Sequence, residues 1–230
     1  MNKIPDKNDS IAMKSMFNDI AKNYDFLNDI MTLFMQKTIK FSAINSLNPY
    51  HQKILDICTG TGDIAIMLAE KYYPASITAL DFSLEMLKIA KQKSKKFNIN
   101  FIEGNAMNMP FSDNSFNLCT ISFGLRNLPD ITAAIREFHR VLDKDGELLI
   151  LDLGKPKIKW LYPVILDKII PFLGKIFHKN KIPYRYLVES QKDYPSPQTL
   201  SKLLQSDGFA DIKIRDFLFG TISALTAKKS

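Results

Sequence analysis

The chain has 230 residues, is 46% hydrophobic and carries a formal net charge of +7 at pH 7, which allows one substantial core with added segments and requires no second domain. Its polar first ten residues, MNKIPDKNDS, lack the apolar core of a signal peptide, so we expect a cytoplasmic protein. Cys58 and Cys119 match no metal-ligand spacing and fall in predicted buried strands, which disfavours a metal site and a catalytic thiol.

The predicted elements begin with a long helical stretch, Ile11–Leu47, that lies outside the sheet. Strands and helices then alternate, which predicts an α/β fold with a mostly parallel sheet. The predicted strands are Lys53–Cys58, Ser76–Asp81, Asn98–Glu103, Phe116–Ser122 and Glu147–Asp152. The predicted helices are Asp63–Lys71, Leu84–Lys95, Ile131–Leu142 (ended by a DKDG turn) and Pro197–Ser206 (closed by Asp207 and Gly208). The last strands, Phe209–Asp216 and Thr221–Ala227, should form an antiparallel hairpin.

A glycine turn follows the first predicted strand, in the segment LDICTGTGD, and the second strand ends on Asp81 about 20 residues later. Gly60 and Gly62 lack Cβ atoms, so a ligand can approach the main chain and the N-terminus of the next helix. The Asp81 carboxylate can accept hydrogen bonds from both ribose hydroxyls. This spacing predicts an adenosine-containing ligand.

The same segment favours a methyl donor over a dinucleotide. The third glycine of the dinucleotide fingerprint is missing, and Asp56 is a poor neighbour for a pyrophosphate. Asp56 is a good neighbour for the cationic sulfonium or ammonium of S-adenosylmethionine. We therefore predict S-adenosylmethionine as the cofactor.

Two further predicted strands end in polar or small residues. Asn105 can hydrogen-bond the adenine edge while Ala106 leaves room for its ring, and Ser122 ends the fourth strand. The alternative is that Asn105 and Ala106 are only turn residues. Because ligands of open parallel sheets bind at the carboxyl ends of the strands, we favour ligand contacts.

Four segments resemble the UbiE/MenG family of quinone C-methyltransferases, and the resemblance covers nearly the whole chain. They are FNDIAKNYDFLND (17–29), GNAMNMPFSDNSFN (104–117), TISFGLRNLPDI (120–131) and YRYLVESQKDYP (184–195). The segment REFHRVLDKDGELLILD (136–152) is typical of methyltransferases in general.

The resemblance implies a seven-stranded, doubly wound class I methyltransferase fold with an antiparallel terminal hairpin, and methylation of a polyprenyl quinol ring carbon. The substrate would be demethylmenaquinol or a methoxy-polyprenyl-benzoquinol. The implied cofactor contacts are Thr61, Asp81, Asn105, Ala106 and Ser122. Three positions depart from the family pattern: Asp152 stands for glutamate, Phe219 for a usual second glycine and Thr226 for histidine.

We expect one methyltransferase domain over residues 1–230. Its parts would be an N-terminal helical cap (1–50), a cofactor-binding core (51–153), a basic and apolar lid (154–195) and a C-terminal helix with hairpin (196–230).

Candidate catalytic residues follow the fourth strand, because a quinol ring should meet the donor methyl there. They are Arg126 and Asn127. The charge of Arg126 can lower the pKa of a ring hydroxyl, or Arg126 can order a water, or it can simply pair with a nearby carboxylate. Tyr24, on a helix expected to cover the site, can hydrogen-bond the ring oxygen or only pack. We do not expect His51, His139 or His178 to lie beside the methyl donor. We therefore expect water to accept the proton.

The segment from Lys155 to Lys192 is rich in lysine and contains apolar runs at Trp160–Leu166 and Ile169–Leu173. Prolines and charges interrupt these runs, which excludes a membrane-spanning helix. An element lying on the inner face of the cytoplasmic membrane fits better than a buried lid. An RNA methyltransferase, disfavoured by FGLRN after the fourth strand, and a noncatalytic cofactor-binding protein of the membrane surface stay open as alternatives.

Overall fold

The computed structural model describes residues 4–156, 186, 189–191 and 193–230, and a single β-sheet forms its centre. Its strands are β1 (Lys53–Ile57), β2 (Ser76–Asp81), β3 (Ile99–Glu103), β4 (Phe116–Ser122), β5 (Leu142–Leu153), β6 (Phe209–Phe217) and β7 (Ile222–Lys229). Within the described residues these seven strands form one sheet in the order β3-β2-β1-β4-β5-β7-β6. Strands β1 to β5 run parallel to one another, and β7 is antiparallel to both β5 and β6. The predicted α/β class and the terminal hairpin are confirmed.

Helices cover both faces of this sheet. They are α1 (Ser10–Ile20), α2 (Tyr24–Met31), α3 (Gln36–Ile44), α4 (Asp63–Lys71), α5 (Leu84–Lys93), α6 (Ile131–Val141) and α7 (Pro197–Ser206). Apolar side chains of α3 and α4 pack on one face of the sheet, and those of α6 and α7 pack on the other. A third apolar cluster joins α1 to α5. No helix in the described ranges has the length and apolar character needed to cross a bilayer.

Side-chain caps explain why the helices begin where they do. Ser83, Asp130 and Ser196 each accept a hydrogen bond from a backbone N–H in the first turn of α5, α6 and α7. Gly208, with a φ of +88°, closes α7 as predicted. These local signals place most element ends within three residues of the predicted positions.

Three sequence expectations were wrong in detail. The fifth strand begins at Leu142, not Glu147, because the DKDG segment stays in the strand at a register shift opposite Phe116 and Leu118, where Asp145 takes a φ of +61°. Cys58 is not in a strand but just beyond β1, with a φ of +53°. The single helical stretch before the sheet is divided into α1, α2 and α3.

Other expectations fall outside the described residues. The apolar runs Trp160–Leu166 and Ile169–Leu173 and most of the predicted lid are among them. His178 also belongs to that part of the chain.

Candidate active site

A cavity of about 660 Å³ opens at the carboxyl ends of the parallel strands, beneath α1. Of the predicted ligand and catalytic residues, those that line it are Tyr24, Gly60, Asp81, Asn105, Ala106 and Asn127. A second space of about 20 Å³ is lined by Asp56, Thr61 and Ser122. Tyr24, Cys58 and Phe123 border both spaces. Sequence reasoning therefore identified residues that the fold brings to one edge of the sheet.

The glycine turn between β1 and α4 depends on left-handed backbone. Gly60 has a φ of +56° and Gly62 one of +85°. A Cβ on Gly62 would lie 2.9 Å from the Ala90 Cβ, so this glycine lets α4 and α5 pack closely. A Cβ on Gly60 would lie 3.3 Å from Cε1 of Tyr24, at the wall of the cavity. Gly60 is thus the position where a ligand can reach the main chain.

Asp81 is held at the end of β2 by backbone donors. Its Oδ2 accepts a hydrogen bond from the Gly60 N–H at 2.8 Å, and its Oδ1 accepts one from the Ser83 N–H at 2.9 Å. Burial raises the pKa of Asp81 to about 6, although these N–H groups oppose the rise. Each oxygen keeps acceptor capacity, so the carboxylate fits the two hydroxyls of a ribose.

Asp56 lies on the neighbouring strand β1, and two hydroxyl groups donate hydrogen bonds to its carboxylate. Oγ1 of Thr59 donates to it at 2.6 Å and Oγ1 of Thr120 at 2.7 Å. Burial raises its pKa to about 6, and the two hydroxyl donors act in the opposite direction. Nearby, the buried Ser122 hydroxyl has no hydrogen-bond partner among the described residues. An orphaned hydroxyl beside a carboxylate fits a polar, cationic ligand group at this point.

Thr61 takes part in a charged network that the sequence did not predict. Its hydroxyl donates to the Asp25 carboxylate of α2, and Lys93 of α5 binds Asp25 at 2.8 Å and also pairs with Asp63. Lys40 of α3 reaches Asp63 from the other side, at 3.0 Å. Burial alone would raise the pKa of Asp63, but the two lysines lower it. The network fastens the N-terminal helices to the start of α4.

Arg126 forms a buried ion pair with Asp152 of β5. Its Nη1 donates to Asp152 Oδ1 at 2.6 Å and to the Phe123 carbonyl at 2.7 Å, and its backbone N–H reaches Asp152 Oδ2 at 3.2 Å. Burial lowers the pKa of Arg126, but Asp152 outweighs it and the pKa is raised. The Arg126 Nε is buried and has no hydrogen-bond partner in the part of the chain that the structure describes. Arg126 therefore pairs with a carboxylate and still carries a free donor.

Two phenols accompany this ion pair. Burial raises the pKa of Tyr24 to about 12, against the charge of Arg126, and burial likewise raises the pKa of Tyr186 to about 12. The Tyr186 hydroxyl donates to Asn127 Oδ1 at 3.1 Å, while Asn127 Nδ2 donates to the Phe123 carbonyl at 3.2 Å. Both phenols stay protonated at neutral pH and can donate hydrogen bonds. Sequence reasoning missed Tyr186, although it lies in YRYLVESQKDYP.

The thiols and imidazoles of the described ranges do not form a reactive group here. Burial raises the pKa of both Cys58 and Cys119 well above the usual thiol range. His51 pairs with Glu147 at 3.1 Å, and His139 packs edge-on against the Phe209 ring. No cluster of histidine, cysteine and acidic residues with a metal-binding arrangement occurs in the part of the chain that the structure describes.

Comparison with known proteins agrees with this geometry. The model of the "ubiE/COQ5 methyltransferase family" matches residues 4–229. A demethylmenaquinone methyltransferase of Staphylococcus epidermidis is 39% identical over 212 residues, which cover 90% of this chain and 88% of that protein.

Solved structures share the fold. A SAM-dependent methyltransferase of Thermotoga maritima, described as a possible histamine N-methyltransferase, has a TM-score of 0.68 at 20% identity, covering 95% of this chain and all of that one. Haemonchus contortus phosphoethanolamine N-methyltransferase 2, solved with S-adenosyl-L-methionine, has a TM-score of 0.63 at 14% identity, covering 84% of this chain and 52% of that one.

Replacing Asp152 should show how strongly the ion pair depends on both charges. Asp152→Asn leaves the buried Arg126 guanidinium without a counter-ion, which should lower the free energy of unfolding by about 3–5 kcal/mol. Asp152→Glu keeps the charge and should lose less. Urea unfolding of the three proteins measures the difference, and an Asn variant as stable as the wild type would contradict the pairing.

Proposed function

The chain belongs to the ubiE/COQ5 methyltransferase family, and we propose that it methylates a ring carbon of a polyprenyl quinol, with demethylmenaquinol as the principal substrate. Its cofactor is S-adenosylmethionine. The observation that carries the proposal is the composition of the large cavity. Its lining combines the Asp81 carboxylate, which suits a ribose, with the polar side chains of Tyr24 and Asn127 and with apolar side chains such as Phe17, Met107 and Leu128. An apolar ring with polar hydroxyls suits these surroundings.

We assign the cofactor contacts by their place on the strand ends. Asp81 would hold the ribose, with Gly60 and Gly62 opening the turn beside it. Asn105 and Ala106, which line the same cavity, would contact the adenine. Asp56, Thr61 and Ser122 border the smaller space and would face the methionine part. Thr61 would then exchange its bond to Asp25 for one to the ligand.

When bound, S-adenosylmethionine supplies an electrophilic methyl group. The quinol ring carbon becomes nucleophilic when the adjacent hydroxyl gives up its proton, and the ring later loses the hydrogen that the methyl replaces. The residues of this chain must therefore hold the ring, exclude bulk water and favour the phenolate.

Arg126 is the group that we propose for favouring the phenolate. Its charge is kept in place by Asp152, and its unpaired Nε leaves one donor for a quinol oxygen or an ordered water. A buried cation next to a ring hydroxyl lowers the pKa of that hydroxyl. Tyr24 and Asn127 would orient the ring oxygen, with Tyr186 fixing the Asn127 amide. Water would accept the proton.

We also propose a second substrate and the place in the cell where the protein works. A methoxy-polyprenyl-benzoquinol presents the same hydroxyls and tail, so we propose it as a second substrate. Because a polyprenyl quinol resides in the bilayer, we also propose that the protein works at the inner face of the cytoplasmic membrane.

A labelled-methyl assay tests this function. The purified chain should transfer a deuterated methyl from S-adenosylmethionine to the ring of reduced demethylmenaquinol, as read by mass spectrometry. The oxidised quinone is the matched control and should stay unlabelled, because it has no hydroxyl to ionise. Methyl label that appears in RNA but not in reduced demethylmenaquinol would overturn the proposal.

The raised pKa of Asp81 predicts a pH dependence of cofactor binding. Above pH 6 the carboxylate is ionised and can accept from both ribose hydroxyls. As the pH falls below about 6, binding must expel a proton, so Kd should rise by up to about tenfold per pH unit.

Calorimetric titration with S-adenosylhomocysteine from pH 5 to 8 measures this dependence. Asp81→Asn has no proton to lose at this position, so it should bind more weakly at pH 8 and show a shallower slope. Equal slopes for the variant and the wild type would contradict the assignment.

A further inference from the structure

A buried lysine lines the smaller space of the site and has no part in the function proposed above. Lys40 of α3 is only 4% exposed, and it borders this space together with Asp56, Thr61 and Ser122. Lysine is rarely buried in proteins, because its ammonium loses hydration that only hydrogen bonds and an opposite charge replace. A buried lysine therefore requires a negative charge, which the protein or a ligand must supply.

Two contacts hold the Lys40 ammonium in place. Its Nζ donates to Gln36 Oε1 at 2.7 Å and to Asp63 Oδ2 at 3.0 Å. The Gln36 amide is itself fixed, because its Nε2 donates to the Asp25 carbonyl and to the Asp29 carboxylate, both at 2.8 Å. An ammonium has three N–H groups, so these contacts leave one N–H of Lys40 without an acceptor among the described residues.

Pairing with Asp63 does not by itself explain why a lysine is buried here. Asp63 is also paired with Lys93 of α5, which binds Asp25 as well. The Asp25 side chain is 41% exposed, so water can hydrate its carboxylate. Lys93 can therefore compensate the charge of Asp63, and the remaining N–H of Lys40 is available to another anion.

The walls of the smaller space carry charges of both signs. Burial raises the pKa of Asp56, and the positive charge of Lys40 is among the effects that oppose this rise, so the two groups interact across the space. The Ser122 hydroxyl on the same wall has no hydrogen-bond partner among the described residues. The amino-acid end of S-adenosylmethionine is a zwitterion, with one ammonium and one carboxylate. A lysine and an aspartate on the walls of one space match these two charges.

We propose that Lys40 binds the carboxylate of the methionine part of S-adenosylmethionine, while Asp56 faces its ammonium. The pair makes the site specific for nucleosides that carry an intact amino acid. This inference rests on the proposed function, which assigns the methionine part to the smaller space. A space of about 20 Å³ holds roughly one water molecule, so the carboxylate enters it as Thr61 releases Asp25.

Calorimetric titration of the full chain with two nucleosides tests the role of Lys40. S-Adenosylhomocysteine carries the whole amino-acid end, whereas its decarboxylated analogue keeps the ammonium and lacks the carboxylate. The wild type should bind the analogue about tenfold to a hundredfold more weakly, because a hydrogen bond between charged groups is lost. Equal affinity of the wild type for the two nucleosides would overturn the inference without any variant.

Two variants of α3 provide a second test. Lys40→Met keeps most of the side-chain length but removes the charge, and it should bind S-adenosylhomocysteine about tenfold to a hundredfold more weakly. It should bind the decarboxylated analogue at least as tightly as the wild type does, because no cation then opposes the ammonium. Lys37→Met removes an exposed lysine one turn earlier, and this matched control should bind both nucleosides like the wild type.

The outcomes separate this inference from the proposed function. If Lys40→Met weakens both nucleosides by the same factor, Lys40 only supports the fold, and if it weakens neither, Lys40 does not contact the ligand. Either result would overturn the inference and leave the proposed function standing. If the wild type binds S-adenosylhomocysteine but methylates no quinol, the proposed substrate fails, and the titrations still decide the role of Lys40. A wild type that binds neither nucleoside would overturn both.

Discussion

Buried carboxylates at the carboxyl ends of the strands set the constraint on which the rest of this structure depends. Asp81, Asp56 and Asp152 lie on β2, β1 and β5, and each is at most 4% exposed. A carboxylate in such a position is costly unless donors surround it. Backbone N–H groups serve Asp81, threonine hydroxyls serve Asp56, and a guanidinium serves Asp152. The glycine turn, the hydroxyls of β4 and the position of Arg126 all follow from this requirement.

The three carboxylates also divide the work of the site. Asp81 keeps its charge available to a ligand because its donors are backbone groups that leave acceptor capacity free. Asp152 keeps the Arg126 guanidinium buried near two phenols, those of Tyr24, which lines the cavity, and Tyr186. Asp81 on β2 and Asp152 on β5 are separated in the sheet by β1 and β4, and Arg126 lies in the turn that follows β4. Such a separation suits a reaction between a cationic donor and a ring that must become anionic.

Sequence reasoning succeeded where the determinant is local. Buried apolar runs and capping side chains located the strands and helices of the sheet, and the spacing from Gly60 to Asp81 identified two residues that line the cavity. It failed where a side chain's partner or conformation depends on residues that are distant in sequence. Asp152 lies 26 residues from Arg126, and Tyr186 lies 59 from Asn127. The DKDG segment has the composition of a turn, yet Leu142 before it and Glu147 after it both pair with β4, so the segment stays within the strand. The Thr61–Asp25 bond could not be foreseen, because it requires the packing of α2 against the glycine turn.

The departures from the family pattern have physical meaning in this fold. Asp152 supplies the carboxylate that Arg126 needs, so the shorter side chain still performs the pairing. Phe219 has a φ of +57°, which is consistent with glycine being usual there. Its ring is exposed in the turn that precedes β7.

A crystal structure of the chain with S-adenosylhomocysteine would test the central claim most directly. We expect the nucleoside to bind in the large cavity, with both ribose hydroxyls within about 2.6–3.2 Å of the Asp81 carboxylate. We also expect the Arg126–Asp152 pair to remain intact beside the space left for the ring. A nucleoside bound elsewhere, or a ribose directed away from Asp81, would contradict the claim.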